Sequence, residues 1–143
     1  MNITYIIDNI YLSDSIDNYT QLLDNMHKID IVINTRSEQH DDLNELGKLG
    51  ISYYWIPVGD FLSPRAGQVK IFMNIINKNK GNILVHCTEG RGRSVFFIVC
   101  LLVEKYNKSI KESISFIKNK RPIIALTPIQ MDKLKILYGD INE

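Results

Sequence analysis

Short β-branched and aromatic runs alternate along the chain with segments whose apolar residues recur every three to four positions. The first pattern is typical of buried strands and the second of amphipathic helices. Such alternation predicts an α/β fold in which helices flank a central, mostly parallel sheet of about four to five strands. The predicted strands cover residues 3–7, 10–12, 31–33, 51–56 and 82–85.

Helices are predicted where the apolar spacing fits one helix face. They cover residues 16–26, 43–49, 68–79 and 94–106, and two more are opened by capping boxes at Ser109/Glu112 and Thr127/Gln130. Ile16 and Met26 mark the two ends of the apolar face of the first helix. Pro57 is predicted to end the fourth strand, because proline lacks the N–H that a sheet ladder needs.

The charge balance and the length of the apolar runs exclude several classes of protein. A net charge of +1, from 17 Lys and Arg against 16 Asp and Glu, gives no reason to expect nucleic acid or an acidic membrane as a partner. The longest apolar run, residues 95–103, has nine residues, whereas a membrane span needs about 20. We therefore expect no membrane span and a cytoplasmic location with both cysteines reduced. The 143 residues fit one domain, residues 1–143.

One segment at the carboxyl end of a predicted strand, where parallel sheets bind ligands, carries unusual chemistry. It reads His86-Cys87-Thr88-Glu89-Gly90-Arg91-Gly92-Arg93-Ser94. A strand-to-helix loop presents backbone N–H groups and the positive end of a helix dipole to an anion. Gly90 and Gly92 would let the backbone curl so that these groups converge. Arg93 would close the bowl and bind two phosphate oxygens with its planar guanidinium group.

Cys87 is predicted to lie at the base of this bowl. A helix N-terminus and neighbouring cations lower a cysteine pKa from near 8.5 to about 3.5–7.5, which gives a thiolate at neutral pH. The same positive environment would then activate the thiol as a nucleophile and attract a phosphate dianion. The alternative is that Cys87 is a small buried hydrophobe, as we expect for Cys100 in the apolar helix. A Walker-type phosphate loop is excluded, because no Gly-Lys-Ser/Thr follows.

The pattern His-Cys-x-x-Gly-x-x-Arg-Ser between a strand and a helix resembles the signature loop of cysteine-dependent protein phosphatases. Residues 9–13, 31–34, 53–57 and 94–106 and the pair Arg121-Pro122 extend the similarity to the small atypical dual-specificity phosphatases over nearly the whole chain. The resemblance implies one catalytic domain over residues 1–143, no cofactor, and phosphorylated proteins as substrates.

The resemblance also implies a role for each residue of the loop. Cys87 would attack phosphorus and form a phosphocysteine. Ser94 would hydrogen-bond the sulfur and help the thiolate leave, or simply start the helix. His86 would orient the loop and keep the thiol ionised, or be an ordinary core histidine; no metal role is expected, because no second ligand stands at suitable spacing. The phosphate would be held by Thr88, Glu89, Gly90, Arg91, Gly92 and Arg93.

The leaving oxygen needs a proton from a general acid on another loop. Asp60 follows a predicted strand, 27 residues before Cys87, where the resemblance places that acid. The alternative is a turn aspartate, and Asp41 and Asp42 are weaker candidates. Gln130 resembles a water-positioning glutamine, but its place in a capping box already explains it.

The choice of substrate rests on the loop rim, where the charges of Glu89 and Arg91 cancel. The resemblance implies phosphotyrosine, together with phosphoserine and phosphothreonine, in proteins. Three alternatives stay open: a phosphoinositide, which Arg91 would favour, the 5′ phosphate of an RNA, and non-catalytic binding of phosphoproteins. Arg36 and Arg65 could line the pocket rim, but we interpret them as scattered surface arginines.

Overall fold

A five-stranded sheet lies at the centre of the computed structural model, which describes residues 1–24 and 28–139. The strands are β1 (Ile3–Ile7), β2 (Ile10–Ser13), β3 (Ile31–Arg36), β4 (Ser52–Val58) and β5 (Ile83–His86). Their order across the sheet is β1-β2-β5-β3-β4. β1 runs antiparallel to β2, and all the other pairs are parallel. The predicted α/β fold with a mostly parallel sheet is confirmed.

Five α-helices cover the two faces of the sheet within the described ranges. They are α1 (Leu43–Lys48), α2 (Ala66–Lys78), α3 (Arg93–Tyr106), α4 (Ile110–Lys120) and α5 (Pro128–Tyr138). Helices α2 to α5 pack on the face with the larger core, while α1 packs on the other face. Both predicted capping boxes are present, at the N-termini of α4 and α5.

The three interior strands, β2, β5 and β3, supply both cores, because successive strand side chains point to opposite faces. In β5, Ile83 and Val85 join the larger core and Leu84 joins the smaller one. The first ten residues of α3 are buried, so this helix fills the middle of the larger core. The loop between β5 and α3 therefore joins two buried segments of the fold, which fixes both of its ends.

The first predicted helix differs from the structure. Of the described residues in 16–24, only Tyr19–Leu23 are helical, as a 3-10 turn whose N-terminus is capped by the Asn18 side chain. The turn ends because the backbone of Asp24 is extended, with a φ angle of −54° and a ψ angle of 137°. Met26, assigned to the same helix, lies outside the described residues.

The prediction that Pro57 ends its strand is wrong, because β4 continues to Val58. β4 lies at the edge of the sheet, where a proline can leave its missing N–H on the unpaired side. The register between β3 and β4 also shifts after Asn34, opposite this stretch.

No helix within residues 1–24 and 28–139 is both long enough and apolar enough to cross a lipid bilayer.

Candidate active site

The β5–α3 loop, residues 87–92, turns its carbonyl groups away from its own centre. Each carbonyl from Thr88 to Gly92 accepts a hydrogen bond from a group outside the loop. In loop order the donors are the Ser15 N–H (3.0 Å), Arg121 Nη2 (3.1 Å), Arg121 Nε (2.9 Å), the Ala125 N–H (2.8 Å) and the Phe96 N–H (2.8 Å). The C=O and N–H groups of one trans peptide point in opposite directions. Carbonyls held outward therefore turn the N–H groups of the following residues inward, as an anion site requires.

Gly90 makes this loop geometry possible. Its φ angle is +66°, and a Cβ atom there would lie 2.7 Å from both the Ser13 carbonyl oxygen and Arg121 Nη2. No other residue fits without moving backbone, so the glycine is required sterically as well as conformationally. Gly92 has a φ angle of −132° and does not use the left-handed region. The positive φ angle expected in this loop is thus found at Gly90.

Cys87 follows β5 directly and is buried at the base of the loop. Its sulfur lies 3.2 Å from the Ser94 hydroxyl and accepts a hydrogen bond of 3.2 Å from the Gly90 N–H. Burial is the largest influence on the pKa of the thiol and raises it. Hydrogen bonds from Ser94 and Gly90, together with the charge of Arg93, outweigh burial and hold the pKa below its usual value. The site therefore favours the thiolate.

Arg93, the first residue of α3, is held by a carboxylate that the sequence did not single out. Its Nη1 and Nη2 atoms donate to Glu38 Oε1 at 2.7 Å and Oε2 at 2.9 Å, and Nη1 also donates to the Val58 carbonyl at 2.8 Å. Nη2 donates further to the Thr88 hydroxyl at 3.1 Å. The bidentate bond to Arg93 lowers the pKa of Glu38 to about 2. The guanidinium plane is thereby fixed above the loop.

Asp60 lies just past the end of β4 and approaches the same arginine. Its Oδ1 atom is 3.5 Å from Arg93 Nη2, and its side chain is 59% exposed. The next residue, Phe61, has a φ angle of +64°, which is strained for a side chain of this size. The carbonyls of Phe61 and Leu62 accept hydrogen bonds from the Thr127 hydroxyl (2.9 Å) and from Gln130 Nε2 (3.0 Å). The N-terminus of α5 thus holds the segment that carries Asp60.

These parts surround a pocket of about 380 Å³ with Cys87 in its wall. The lining residues are Asp60, Phe61, Cys87, Thr88, Glu89, Arg91, Gly92, Arg93, Ala125, Leu126, Thr127 and Gln130. Polar groups that can bind an anion occupy the β5–α3 side of the pocket, and apolar atoms of Phe61 and Leu126 occupy the other side. This arrangement suits a phosphate joined to a partly apolar group.

The family model for the dual specificity phosphatase catalytic domain matches residues 10–138. The chain belongs to this family. A human relative, dual specificity protein phosphatase CDC14C, is 26% identical over 124 residues, which is 87% of this chain and 27% of the relative. The Arabidopsis thaliana phosphatidylglycerophosphate phosphatase PTPMT2 is 32% identical over 79 residues, which is 52% of this chain and 35% of the relative.

The catalytic domain also has close structural neighbours. The crystal structure of Tk-PTP in the active form superposes with a TM-score of 0.80 at 27% identity and covers 97% of both chains. The resemblance to atypical dual-specificity phosphatases is confirmed, and the chain is a cysteine-dependent phosphatase domain. It spans only about a third or less of the two curated relatives named above. That residues 1–143 form a single domain stays a prediction, as does the cytoplasmic location.

The structure brings most of the predicted site residues of this catalytic domain together. Cys87, Arg93 and Asp60 line one pocket, with the Ser94 hydroxyl on the sulfur. Thr88, Glu89, Gly90, Arg91 and Gly92 form the loop, although the Glu89 and Arg91 side chains pair with each other at 3.7 Å at its exposed rim. His86 is fully buried behind the loop.

Other candidates occupy different places. Asp41 is buried in an ion pair with Arg36, so it cannot reach a leaving group in the pocket, and Arg36 is not a surface residue. Asp42 caps α1, and Arg65 stands at the N-cap of α2. Gln130 forms its capping box and also faces the pocket, so the two interpretations of this residue are compatible.

The sequence interpretation missed Glu38 and considered Asp41 only as a weaker candidate for the general acid. Both residues lie just beyond the carboxyl end of β3, the edge at which open α/β sheets bind ligands, and this position was a usable signal. Arg121 was noted only as part of a motif, because nothing in the sequence reveals that it binds two carbonyls of a loop 31 and 32 residues away. Within the described ranges, no group of three or more His, Cys, Asp or Glu residues could hold a metal ion.

Proposed function

We propose that the chain hydrolyses phosphate monoesters of proteins, on tyrosine and also on serine and threonine, through a phosphocysteine on Cys87. The observation that carries this proposal is the environment of the Cys87 sulfur. Cys87 carries a buried thiol whose pKa is lowered, and it begins a loop whose carbonyl groups are held outward by hydrogen bonds. A non-catalytic phosphoprotein-binding module would need the arginine but would not need this activated sulfur.

The first step transfers the phosphoryl group to the enzyme. The Cys87 thiolate attacks phosphorus in line, a sulfur–phosphorus bond forms, and the bond from phosphorus to the ester oxygen breaks. Asp60 donates its proton to that oxygen, which leaves as the tyrosine, serine or threonine hydroxyl. Arg93 and the N–H groups of residues 88–93 bind the equatorial oxygens while charge moves onto them.

The second step returns the enzyme to its starting state. Asp60, now a carboxylate, accepts a proton from a water molecule, whose oxygen attacks phosphorus as the sulfur–phosphorus bond breaks. The electron pair returns to sulfur, where the Ser94 hydroxyl at 3.2 Å stabilises the thiolate by donating a hydrogen bond. Inorganic phosphate then leaves the pocket. His86 supports both steps from behind the loop.

The charges at the pocket rim favour a single phosphate on a protein. Arg91 and Arg93 are the only cations among the described residues that line the pocket. Each is already paired, Arg91 with Glu89 and Arg93 with Glu38. A headgroup or an RNA end with several phosphates would need further unpaired cations.

A lipid phosphomonoester is the second candidate, and two observations favour it. The relative PTPMT2 bears the name phosphatidylglycerophosphate phosphatase. The exposed apolar side chain of Phe61 also lines the pocket, and the exposed Ile123 lines a neighbouring pocket that shares Thr88, Glu89 and Arg91 with it. Such side chains would suit the apolar part of a lipid as well as a protein surface.

A substrate panel tests the proposal. Phosphotyrosine, phosphoserine and phosphothreonine peptides, phosphatidylglycerophosphate, phosphoinositides and a 5′-triphosphorylated RNA are compared by kcat/KM. The proposal requires the phosphotyrosine peptide to be turned over best. A higher kcat/KM for a lipid would establish the second candidate instead. Failure of the domain to turn over any of these compounds, while still binding phosphopeptides, would identify a binding module.

A further inference from the structure

Three charged residues are buried directly behind Cys87, outside the pocket. His86 is fully inaccessible, and Arg36 and Asp41 are 4% and 5% exposed. None of the three lines the pocket. The proposed reaction gives no part to Arg36 or Asp41, yet burying charges is costly unless they are paired and hydrogen-bonded.

The hydrogen-bond partners of His86 determine where its protons are. Nδ1 lies 3.0 Å from the Cys87 carbonyl oxygen, which can only accept a hydrogen bond, so Nδ1 carries a proton. Nε2 lies 2.7 Å from Asp41 Oδ2. The other oxygen of Asp41, Oδ1, accepts a hydrogen bond from Arg36 Nη2 at 3.0 Å, and both oxygens of a carboxylate paired in this way are acceptors. Nε2 therefore donates as well, and the ring is an imidazolium.

Asp41 is itself held in one position by its surroundings. Arg36 Nε donates to Asn34 Oδ1 at 3.2 Å, and Arg36 Nη1 donates to the Ser15 hydroxyl at 3.3 Å. The Asp41 N–H donates to the Tyr53 hydroxyl at 3.4 Å. The charged and titratable groups that face the His86–Asp41 pair are thus Arg36 from β3, Tyr53 from β4, Tyr19 from the 3-10 turn and Cys87 from the β5–α3 loop.

The charges of this cluster balance only when Cys87 is ionised. Arg36 and the imidazolium of His86 contribute two positive charges, and Asp41 contributes one negative charge. Arg93 also acts on the sulfur, and the carboxylate of Glu38 at 2.7 Å balances the charge of Arg93 in this count. With the thiolate of Cys87, the cluster has two positive and two negative charges.

We propose that Asp41 is a positioning residue for the nucleophile, acting through His86, whose imidazolium it holds in place. The inference rests on the proposed role of Cys87 as nucleophile. The imidazolium fixes the Cys87 carbonyl on the outside of the loop, which turns the N–H of Thr88 inward. It also places a positive charge on the residue directly before Cys87. Asp41 thus takes part through the charge and orientation of a ring that touches no substrate.

The test is the pH dependence of Cys87 alkylation by iodoacetamide, which reports the thiolate and needs no turnover. Replacing Asp41 by Asn removes the charge that holds the imidazolium, so we expect the midpoint for Cys87 to rise by roughly one pH unit. An unchanged midpoint in Asp41→Asn would overturn the inference. The proposed function is judged separately, by the turnover of the wild-type domain.

Two further variants separate action through His86 from general destabilisation. In a double-mutant cycle with His86→Asn, the added Asp41→Asn substitution should shift the midpoint no further. Additive shifts would show that Asp41 does not act through His86. The matched control is Ser113→Ala in α4, which removes a buried hydroxyl that donates to the Ser109 carbonyl at 2.8 Å, far from the site. Ser113→Ala should lower the free energy of unfolding and leave the midpoint of Cys87 alkylation unchanged. A shift in this control equal to that of Asp41→Asn would contradict the inference.

Nitrogen NMR of the wild-type domain covers the case in which Asp41→Asn does not fold. The chain has three histidines, and comparison with His86→Asn assigns the His86 signals. Both ring nitrogens of His86 should carry protons at neutral pH. A lone pair on either nitrogen would overturn the inference.

Discussion

The two segments that meet at the pocket are held by opposite means. The β5–α3 loop is buried at its base, its carbonyls from Thr88 to Gly92 are all hydrogen-bonded outward, and Arg121 alone binds two of them. The segment that carries Asp60 is exposed, includes a residue with a positive φ angle, and is held mainly by two side chains of α5. In the proposed reaction, the first segment binds the phosphate and the second delivers a proton.

The difference between the fixed loop and the exposed segment suits the two tasks proposed for them, which are phosphate binding and proton donation. An oxyanion site gains most when its donors are fixed before the reaction and need no reorganisation. A general acid must let a substrate enter and then reach its leaving oxygen, so it benefits from some freedom to move. We therefore expect substitutions in the loop to abolish the reaction and substitutions around Asp60 to reduce it in graded steps.

The largest effect is expected for Cys87→Ser. A serine hydroxyl at this position is a much poorer nucleophile than a thiolate, so turnover of an aryl phosphate should fall by about 10⁴-fold or more. Binding of inorganic phosphate, measured by calorimetry, should persist because Arg93 and the loop N–H groups remain. Full activity in Cys87→Ser would contradict the role of Cys87, at the base of the β5–α3 loop, as the nucleophile.

The next largest effect is expected for Asp60→Asn. Loss of general-acid catalysis should lower kcat by about 10²- to 10⁴-fold. The basic limb of the wild-type pH–rate profile should disappear in the variant. The pH–rate profile of an aryl phosphate with a poor leaving group measures both effects. Retention of the basic limb in Asp60→Asn would assign the acid to another residue.

A smaller effect is expected when the support of Asp60 is removed. Gln130→Ala deletes the 3.0 Å hydrogen bond to the Leu62 carbonyl, and the misplaced acid should lower kcat by roughly ten-fold. Glu112→Ala deletes the corresponding capping-box bond of α4 and serves as a matched control for lost helix capping. It should leave kcat unchanged, and equal losses in both variants would attribute the effect to stability alone.

The smallest effect is expected on stability, through Glu38. Its pKa is about 2 in the folded chain against an ordinary value of 4.5, so its carboxylate stabilises the fold above about pH 4.5 and this contribution is lost as the pH falls toward 2. Because Glu38 is half exposed, the contribution should be about 1 kcal/mol or less. Urea unfolding across this pH range should show a shallower dependence in Glu38→Gln, and an identical slope would contradict the assigned ion pair.

The same contrast explains how much could be predicted from sequence. The loop motif is contiguous, so the neighbours Cys87, Gly90 and Arg93 and their chemistry could be predicted from residue types and spacing alone. Asp60 depended on resemblance, because a lone aspartate after a strand carries little information by itself. Glu38, Asp41 and Arg121 reach the site only through tertiary folding, and their partners lie 31 to 55 positions away in the chain. Pro57 was misjudged because edge position, which permits proline in a strand, is a property of the sheet order.

The central claim is that Cys87 carries the phosphoryl group. It is tested most directly by acid quenching the domain during turnover of an aryl phosphate and locating covalent phosphate by peptide mass spectrometry. Ser94→Ala should increase the trapped fraction, because the leaving thiolate loses its 3.2 Å hydrogen bond and breakdown of the intermediate slows. We expect one phosphoryl group on the peptide that contains Cys87. Turnover without any phosphorylated Cys87, in the wild type and in Ser94→Ala alike, would contradict the account.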